Sequence, residues 1–276
     1  MTEPAGAPAW TILELEADND VADIVSDGLW GLGVSAVEEI ASSGGSVTLR
    51  ANVSVESADA VADLARRHGA TFRWVTVPAS VTETWREHAR PTHVVDDVWL
   101  VPAWVPSPAG RSVIVEPFDV FGLGNHPTTT LALAAALAVA RRGDFVLDMG
   151  SGSGVLAVAL SALVGCRCEC HDIAAQSRHA VEHNARLNGV GSLVEWNGDP
   201  AAGEPARYDL VVANILAPVL CDLATALQSV TASNGTIVLS GLRDDQAGRV
   251  LAAYGTCELV AQDSREGWTA LTLRRS

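Results

Sequence analysis

The chain has 276 residues, a formal charge of −15 from 33 acidic and 18 basic side chains, and 48% hydrophobic residues. All 18 basic residues are Arg, and the absence of Lys excludes a catalytic Schiff-base lysine and a phosphate loop of the G-x-x-x-x-G-K-[ST] type. Such acidity argues against gripping a phosphate backbone through bulk charge and suits a cationic partner. The longest apolar stretches, Leu131–Ala140 and Val155–Cys166, fall short of the roughly 20 residues that a membrane span requires. Acids precede any apolar run at the N-terminus, so no secretory signal is expected. Of five Cys, Cys166, Cys168 and Cys170 alternate along one strand face, where they cannot pair with one another without distortion. The expectation is a cytoplasmic monomer with reduced, buried thiols.

In chain order, Trp10–Glu16 alternates like a strand, and Asp18 can cap a helix running to about Leu32. Val34–Ile40 and Ser46–Asn52 read as two strands joined through Ser42-Ser43-Gly44-Gly45. Glu56–His68 has helical apolar spacing and stops before Gly69, and Thr71–Val77 is a further strand. The order β-α-β-β-α-β is the ferredoxin-like split motif, expected over residues 1–78. Residues 79–110 are Pro-punctuated, with a helical piece at Glu83–Arg90 and a strand-like piece at Val94–Val101, and are expected to act as a linker.

From residue 111 to 276, strands and helices alternate. Phe145–Met149, Arg167–His171, Leu193–Trp196, Leu210–Ala213 and Thr236–Ser240 are short apolar or β-branched runs. Between most of them lie the helical stretches Leu156–Val164, Ala174–Asn188, Pro218–Val230 and Asp244–Tyr254. This rhythm predicts an α/β domain with a doubly wound, mostly parallel sheet. Cys257–Asp263 and Trp268–Arg274, joined around Glu266-Gly267, predict a terminal antiparallel hairpin on that sheet.

Asp148-Met149-Gly150-Ser151-Gly152-Ser153-Gly154 follows a strand and opens a helix. Glycines let a ligand approach the backbone, and the helix start offers free N–H groups. A dinucleotide fingerprint would need a third Gly where Val155 stands. The spacing D-x-G-x-G-x-G is instead the one associated with S-adenosylmethionine (AdoMet). Asp172, 22 residues after Gly150, ends the next strand, about where a carboxylate takes ribose hydroxyls. Asn214 ends the strand that begins at Tyr208, on the same sheet edge, although Asn also serves as an ordinary helix cap. Phe121–Thr129 places two glycines and Pro127 ahead of a helix, which fits either a mobile loop over a ligand or a plain capped turn. His179-Ala180-Val181-Glu182-His183 spells the zinc-protease pattern H-x-x-E-H, but its helix should pack on the sheet with both His outward. Alternate strand Cys make poor tetrahedra, so no metal is expected.

Taken together, these residues resemble the methyltransferases that modify large-subunit ribosomal protein eleven. The family loop F-G-T-G-x-H-P-T-T is matched at Phe121–Thr129, D-x-G-x-G-S-G-x-L at Asp148–Leu156, and N-I-L-A-x-x-L at Asn214–Leu220. The family's D-I-D-P is matched at Asp172-Ile173 only, since Ala174-Ala175 follow. Leu123 and Asn125 each replace a Thr of the family loop. Trp85, Val101-Pro102-Ala103-Trp104, Ser240-Gly241-Leu242 and Gly267–Leu271 also look like family positions. The resemblance implies a class I AdoMet-dependent methyltransferase fold, with a small N-terminal domain that captures the protein substrate. It implies cofactor contacts from Thr129, Gly150, Gly152, Asp172 and Asn214, with Asp199 near the adenine. It also implies methyl transfer from AdoMet to a lysine or N-terminal amine of a basic ribosomal protein; the acidity and the short apolar runs add that no direct nucleic-acid binding and no membrane are expected.

An amine must lose its proton before it can attack, and an unperturbed lysine has a pKa of about 10.4. Asn214 is no base near neutral pH. Its amide oxygen and the Ile215 carbonyl are expected to accept hydrogen bonds from the amine and aim its lone pair. Two other readings stay open at this point: the same chemistry on another protein lysine or a small molecule, and a non-catalytic AdoMet-binding scaffold.

Overall fold

The computed structural model describes residues 10–30, 32, 34, 37–41, 45–51, 53, 57–77, 86, 89–118, 120–197 and 205–276. The chain forms two compact units, Met1–Ala89 and Arg90–Ser276.

The first unit runs β1 (Trp10–Asp18), α1 (Asn19–Trp30), β2 (Val37–Ala41), β3 (Ser46–Ala51), α2 (Ala58–His68) and β4 (Thr71–Val77). Its strands form an antiparallel sheet in the order β2-β3-β1-β4, the arrangement expected of the split motif. Leu13, Leu15 and Ala17 of β1 bury one sheet face against Val25 and Leu29 of α1 and Val61 and Leu64 of α2. Gly69 stops α2 by turning left-handed (φ 66°) and donating its N–H to Ala65 O. On the opposite face Glu14 stands in register with Arg50 and Arg73 of the flanking strands. Both guanidiniums donate to its carboxylate, from Nε at 2.8 and 2.7 Å, and hold the carboxyl below its ordinary 4.5 against the upward pull of burial.

The second unit begins within the stretch expected to be a linker. β5 (Thr92–His93), β6 (Val98–Pro102) and β7 (Arg111–Val115) make a small three-stranded sheet. Val98, Leu100, Val113 and Val115 are buried in the main core. The prolines at 91, 102, 106 and 108 sit at strand ends or between strands, where a missing N–H costs no ladder bond. The helical piece expected at Glu83–Arg90 falls largely outside the described residues.

The main sheet has seven strands: β8 (Phe145–Met149), β9 (Arg167–His171), β10 (Val194–Trp196), β11 (Tyr208–Asn214), β12 (Thr231–Arg243), β13 (Cys257–Arg265) and β14 (Trp268–Arg275). Their spatial order is β10-β9-β8-β11-β12-β14-β13. The first five are parallel, and β14 runs antiparallel to both β12 and β13. Alternate residues serve opposite layers. Val146, Cys168, Cys170 and Val212 face α3 (Pro127–Val139), α4 (Val155–Leu163) and α5 (Ser177–Leu187). Leu147, Met149, Val211 and Leu239 face α6 (Ala217–Asp222), α7 (Ala224–Val230) and α8 (Ala247–Ala253). The three Cys are buried and unpaired, and burial pushes the Cys166 thiol up to about 11, so it stays protonated and inert.

Two helices differ from expectation. Pro218–Val230 is two helices that meet at Leu223, and Asp244–Tyr254 opens as a 3₁₀ turn, Asp244–Gln246. Asn184 on α5 and Asn188 at its C-cap substitute for a strand partner. The Asn184 side chain bonds the N–H and C=O of Glu116 and also Ser153 O, while Asn188 bonds the N–H and C=O of Ile114. No helix among the described residues is long and apolar enough to cross a membrane.

Candidate active site

Gly150, Gly152 and Gly154 carry the chain from β8 into α4, each with positive φ (73°, 50° and 77°). Only glycine takes three such positions cheaply. Space adds a second reason: a Cβ on Gly150 would stand 2.2 Å from Ile215 Cγ2, and one on Gly152 would stand 2.4 Å from Phe121 O. The turn is tied to the end of β9, since Gly150 N and Ser151 N both donate to His171 O, at 2.8 and 3.0 Å. Asp172 completes the tie. Its Oδ2 accepts from Gly152 N and its Oδ1 from Ala174 N, both at 2.8 Å. A carboxylate has about four acceptor directions, so two remain for a ligand diol. Ile173 beside it is 95% exposed, an apolar side chain standing free at the same edge.

Asn214 closes β11, and in register with Ser240 of β12 it lies at the carboxyl edge where open α/β sheets bind ligands. Its Nδ2 donates to Thr129 Oγ1 at 3.4 Å. Its Oδ1 is buried with no hydrogen-bond partner among the described residues. An unsatisfied buried acceptor costs roughly 1–3 kcal/mol, so this oxygen fits a donor that arrives with a ligand. The helix-cap alternative does not describe Asn214, because the N-cap of α6 is Leu216. Next door, Gly241 lies against the Ile215 carbonyl, and a Cβ there would sit 2.4 Å from Ile215 O.

The loop at Phe121–His126 is stitched to the glycine turn. Ser153 N donates to Phe121 O at 2.9 Å, and Ser153 Oγ donates to Gly122 O at 2.6 Å. His126 caps α3, taking Thr128 N–H on Nδ1 at 3.3 Å, with Pro127 in the first turn. Thr128, Thr129 and Thr130 are all buried, and Ser240 Oγ fixes Thr128 O at 3.0 Å. The His126 ring meets Trp268 edge-on at 5.0 Å between centroids, and Arg243 lies 4.5 Å over that indole. Burial first, then the Arg243 charge, holds His126 below its ordinary 6.5.

Beneath the turn, Asp148 is 1% exposed. Its Oδ2 accepts from Ala157 N at 3.1 Å, while its Oδ1 has no partner among the described residues. Burial, reinforced by the nearby Asp172 charge, raises it to about 7. The N–H groups of the turn, expected to be free for a ligand, are taken within the chain, but a carboxylate with acceptor directions to spare and an orphaned amide oxygen on one sheet edge fit AdoMet.

The comparisons with known proteins decide the family. Residues 49–276 match the family model described as Ribosomal protein L11 methyltransferase (PrmA). The chain belongs to the ribosomal protein L11 methyltransferase family. A relative of that name from Methylobacillus flagellatus is 32% identical over 96% of this chain and 98% of its own length. One from Thiobacillus denitrificans is 36% identical over 88% of this chain and 80% of its own. The alignment to the Exiguobacterium relative, 32% identical, covers 70% of this chain and 64% of that protein. The solved structure of a ribosomal protein L11 methylase from Lactobacillus delbrueckii subsp. bulgaricus superposes with a TM-score of 0.63 at 28% identity, covering 68% of this chain and all of that one.

Within this L11 methyltransferase family framework the structure brings Thr129, Gly150, Gly152, Asp172, Asn214 and Ile215 to one edge of the main sheet. Asp199 lies outside the described residues, as does Trp85. Ile173 and Ser153 enter the sequence reading only as motif matches, and it is the structure that leaves Ile173 exposed at this edge and holds the loop through the Ser153 hydroxyl. The H-x-x-E-H pair is not assembled as a metal centre. The Phe118 ring packs edge-on against both His179 and His183, at 5.0 Å each, and no group of three possible ligands occurs among the described residues.

Proposed function

We propose that the protein transfers methyl groups from AdoMet to amino groups of ribosomal protein L11, lysine side chains or the N-terminal amine, in the cytoplasm. AdoMet supplies an electrophilic sulfonium methyl group. Every other contribution is the chain's own, and it is one of alignment and exclusion of water rather than acid–base chemistry.

Gly150 and Gly152 offer backbone against the ligand, the free acceptor directions of Asp172 take the ribose hydroxyls, and Ile173 gives the adenine an apolar neighbour. Thr129 orients Asn214 through the bond to its Nδ2, which leaves Oδ1 as the open acceptor. Asn214 Oδ1 and the Ile215 carbonyl take the two N–H bonds of a neutral amine, which directs its lone pair at the methyl group. The amine's proton leaves to solvent before transfer, and the site receives the neutral amine with acceptors only. The Phe121–His126 loop, latched by Ser153, shields the site.

The observation that carries this reading is the buried, unpartnered Asn214 Oδ1 beside a glycine cradle, in a chain of this family. The net charge of −15 supports a basic substrate, and association should weaken with salt. Labelling a lysate that lacks the enzyme with isotopic AdoMet tests it. One small basic ribosomal band is expected. A different acceptor would replace the substrate, and no labelled acceptor would remove the activity.

A further inference from the structure

β9 carries one buried carboxylate that none of the roles above employs. Cys168 and Cys170 fill the layer under α4, so Glu169 points to the opposite sheet face, where it is 6% exposed. Its Oε2 accepts from Asn197 Nδ2 at 2.8 Å and from the Tyr208 hydroxyl at 2.7 Å. Its Oε1 accepts from the Arg207 guanidinium, which in turn lies 5.1 Å over the Phe145 ring and 5.4 Å over Tyr208. Burial, then the bond to Glu169, pushes the Tyr208 phenol up to about 12, so it remains a donor. A carboxylate inside a sheet core is costly unless its lone pairs are taken. Here three donors take them.

The donors are not scattered. Asn197 directly follows β10, while Arg207 precedes β11 and Tyr208 opens it. They are the two ends of a single connection, the one whose sequence contains Gly198-Asp199. Main-chain bonds continue the pattern. Asn197 N donates to Cys170 O at 2.9 Å, and Arg207 N to Val230 O at 2.8 Å. His171 Nδ1 lies 3.2 Å from Asn197 O. Asn197 is thereby fixed against the end of β9, one residue from Asp172.

We infer that Glu169 is a positioning residue for the cofactor site: its carboxylate clasps both ends of the β10–β11 connection, anchors Asn197 beside Asp172, and so sets the adenine end of the AdoMet pocket. The inference rests on the AdoMet reading above and adds a group that does not itself touch the ligand. Replacing the carboxylate by a carboxamide leaves one oxygen for three donors, and the connection loses its common charged anchor.

The test is calorimetric titration of the full chain with AdoMet and with the analogue bearing hypoxanthine in place of adenine. Wild type, Glu169→Gln and Asn197→Ala are compared, with the thermal midpoint of each. Glu169→Gln should weaken AdoMet by about tenfold, the worth of one lost charge-assisted bond, and shrink the preference for adenine over hypoxanthine. Its KM for AdoMet should rise by more than its kcat falls. Asn197→Ala leaves Glu169 paired with Arg207 and Tyr208, so it should fold normally and show the same narrowed preference. A lowered midpoint with affinity and preference unchanged in both variants would make the clasp purely structural and overturn the inference. A wild-type chain that binds no AdoMet would overturn the cofactor reading itself, and the clasp with it.

Discussion

Asp148→Asn isolates the cost of a buried carboxylate under the glycine turn. Asp148 is 1% exposed, with one oxygen on Ala157 N–H and the other unpartnered among the described residues, and its pKa rises from 3.8 to about 7. A raised acid binds its proton in the folded chain while the unfolded chain has already lost it. Stability is therefore greatest below the unfolded value and falls as pH climbs towards about 7. The full gap of about 3 units corresponds to roughly 4 kcal/mol at 1.36 kcal/mol per unit, of which about 3 kcal/mol falls between pH 5 and 8. Asparagine keeps the shape and the Ala157 bond, but it puts an NH₂ in place of a buried oxygen that has no partner among the described residues, at a pH-independent cost of roughly 1–3 kcal/mol. The variant should gain about 3 kcal/mol on wild type between pH 5 and pH 8 and be the more stable of the two at pH 8. Urea unfolding of both proteins across that range, without ligand, measures the difference, and the N-terminal unit, common to both, cancels. A variant-minus-wild-type difference that stays flat within about 1 kcal/mol would show that Asp148 is ionised throughout, and would refute the burial argument.

Asn214→Ala should slow single-turnover methyl transfer by about tenfold or more while leaving AdoMet affinity nearly intact; equal single-turnover rates would remove Asn214 as the amine's acceptor. Asp172→Ala should weaken AdoMet binding by calorimetry beyond tenfold, because it takes away both the ribose acceptor and the anchor of Gly152 N–H, at roughly 1.5–3 kcal/mol per charged bond. Unchanged affinity would count against that assignment. Glu14→Gln removes a carboxylate held below 4.5 by Arg73 and Arg50. The wild-type contribution is complete above 4.5 and is lost as pH falls through the lower folded value. Hydrogen exchange in β1 should therefore show the variant weaker at pH 6, with the gap closing as pH is taken down from 4.5, and a constant gap would contradict it.

Much of the fold was legible because its signals are local. Period-two alternation located β1 and β9, Gly69 marked the end of α2, and the strand, glycine turn, helix order at Asp148–Leu156 needed no long-range information. What escaped depends on contacts distant in sequence. Prolines hid the sheet at residues 92–115, whose strands are short and held by Asn184 on a helix and Asn188 at its C-cap, some seventy residues away. The break at Leu223 follows no Gly or Pro. At the site, the motif residues converge on one sheet edge, but nothing in the sequence distinguishes an Asn whose oxygen is left vacant from one that caps a helix. The Ser153–Gly122 latch and the burial of Glu169 are likewise tertiary facts. Alternation with three buried Cys would have turned Glu169 outward to water, yet a sheet covered on both faces buries both sets.

The most direct measurement is intact-mass spectrometry of purified ribosomal protein L11 incubated with this protein and AdoMet. The account predicts stepwise gains of one methyl mass each, mapping on digestion to amino groups and much reduced with Asn214→Ala. An unchanged substrate mass, under conditions where calorimetry shows AdoMet bound, would contradict it.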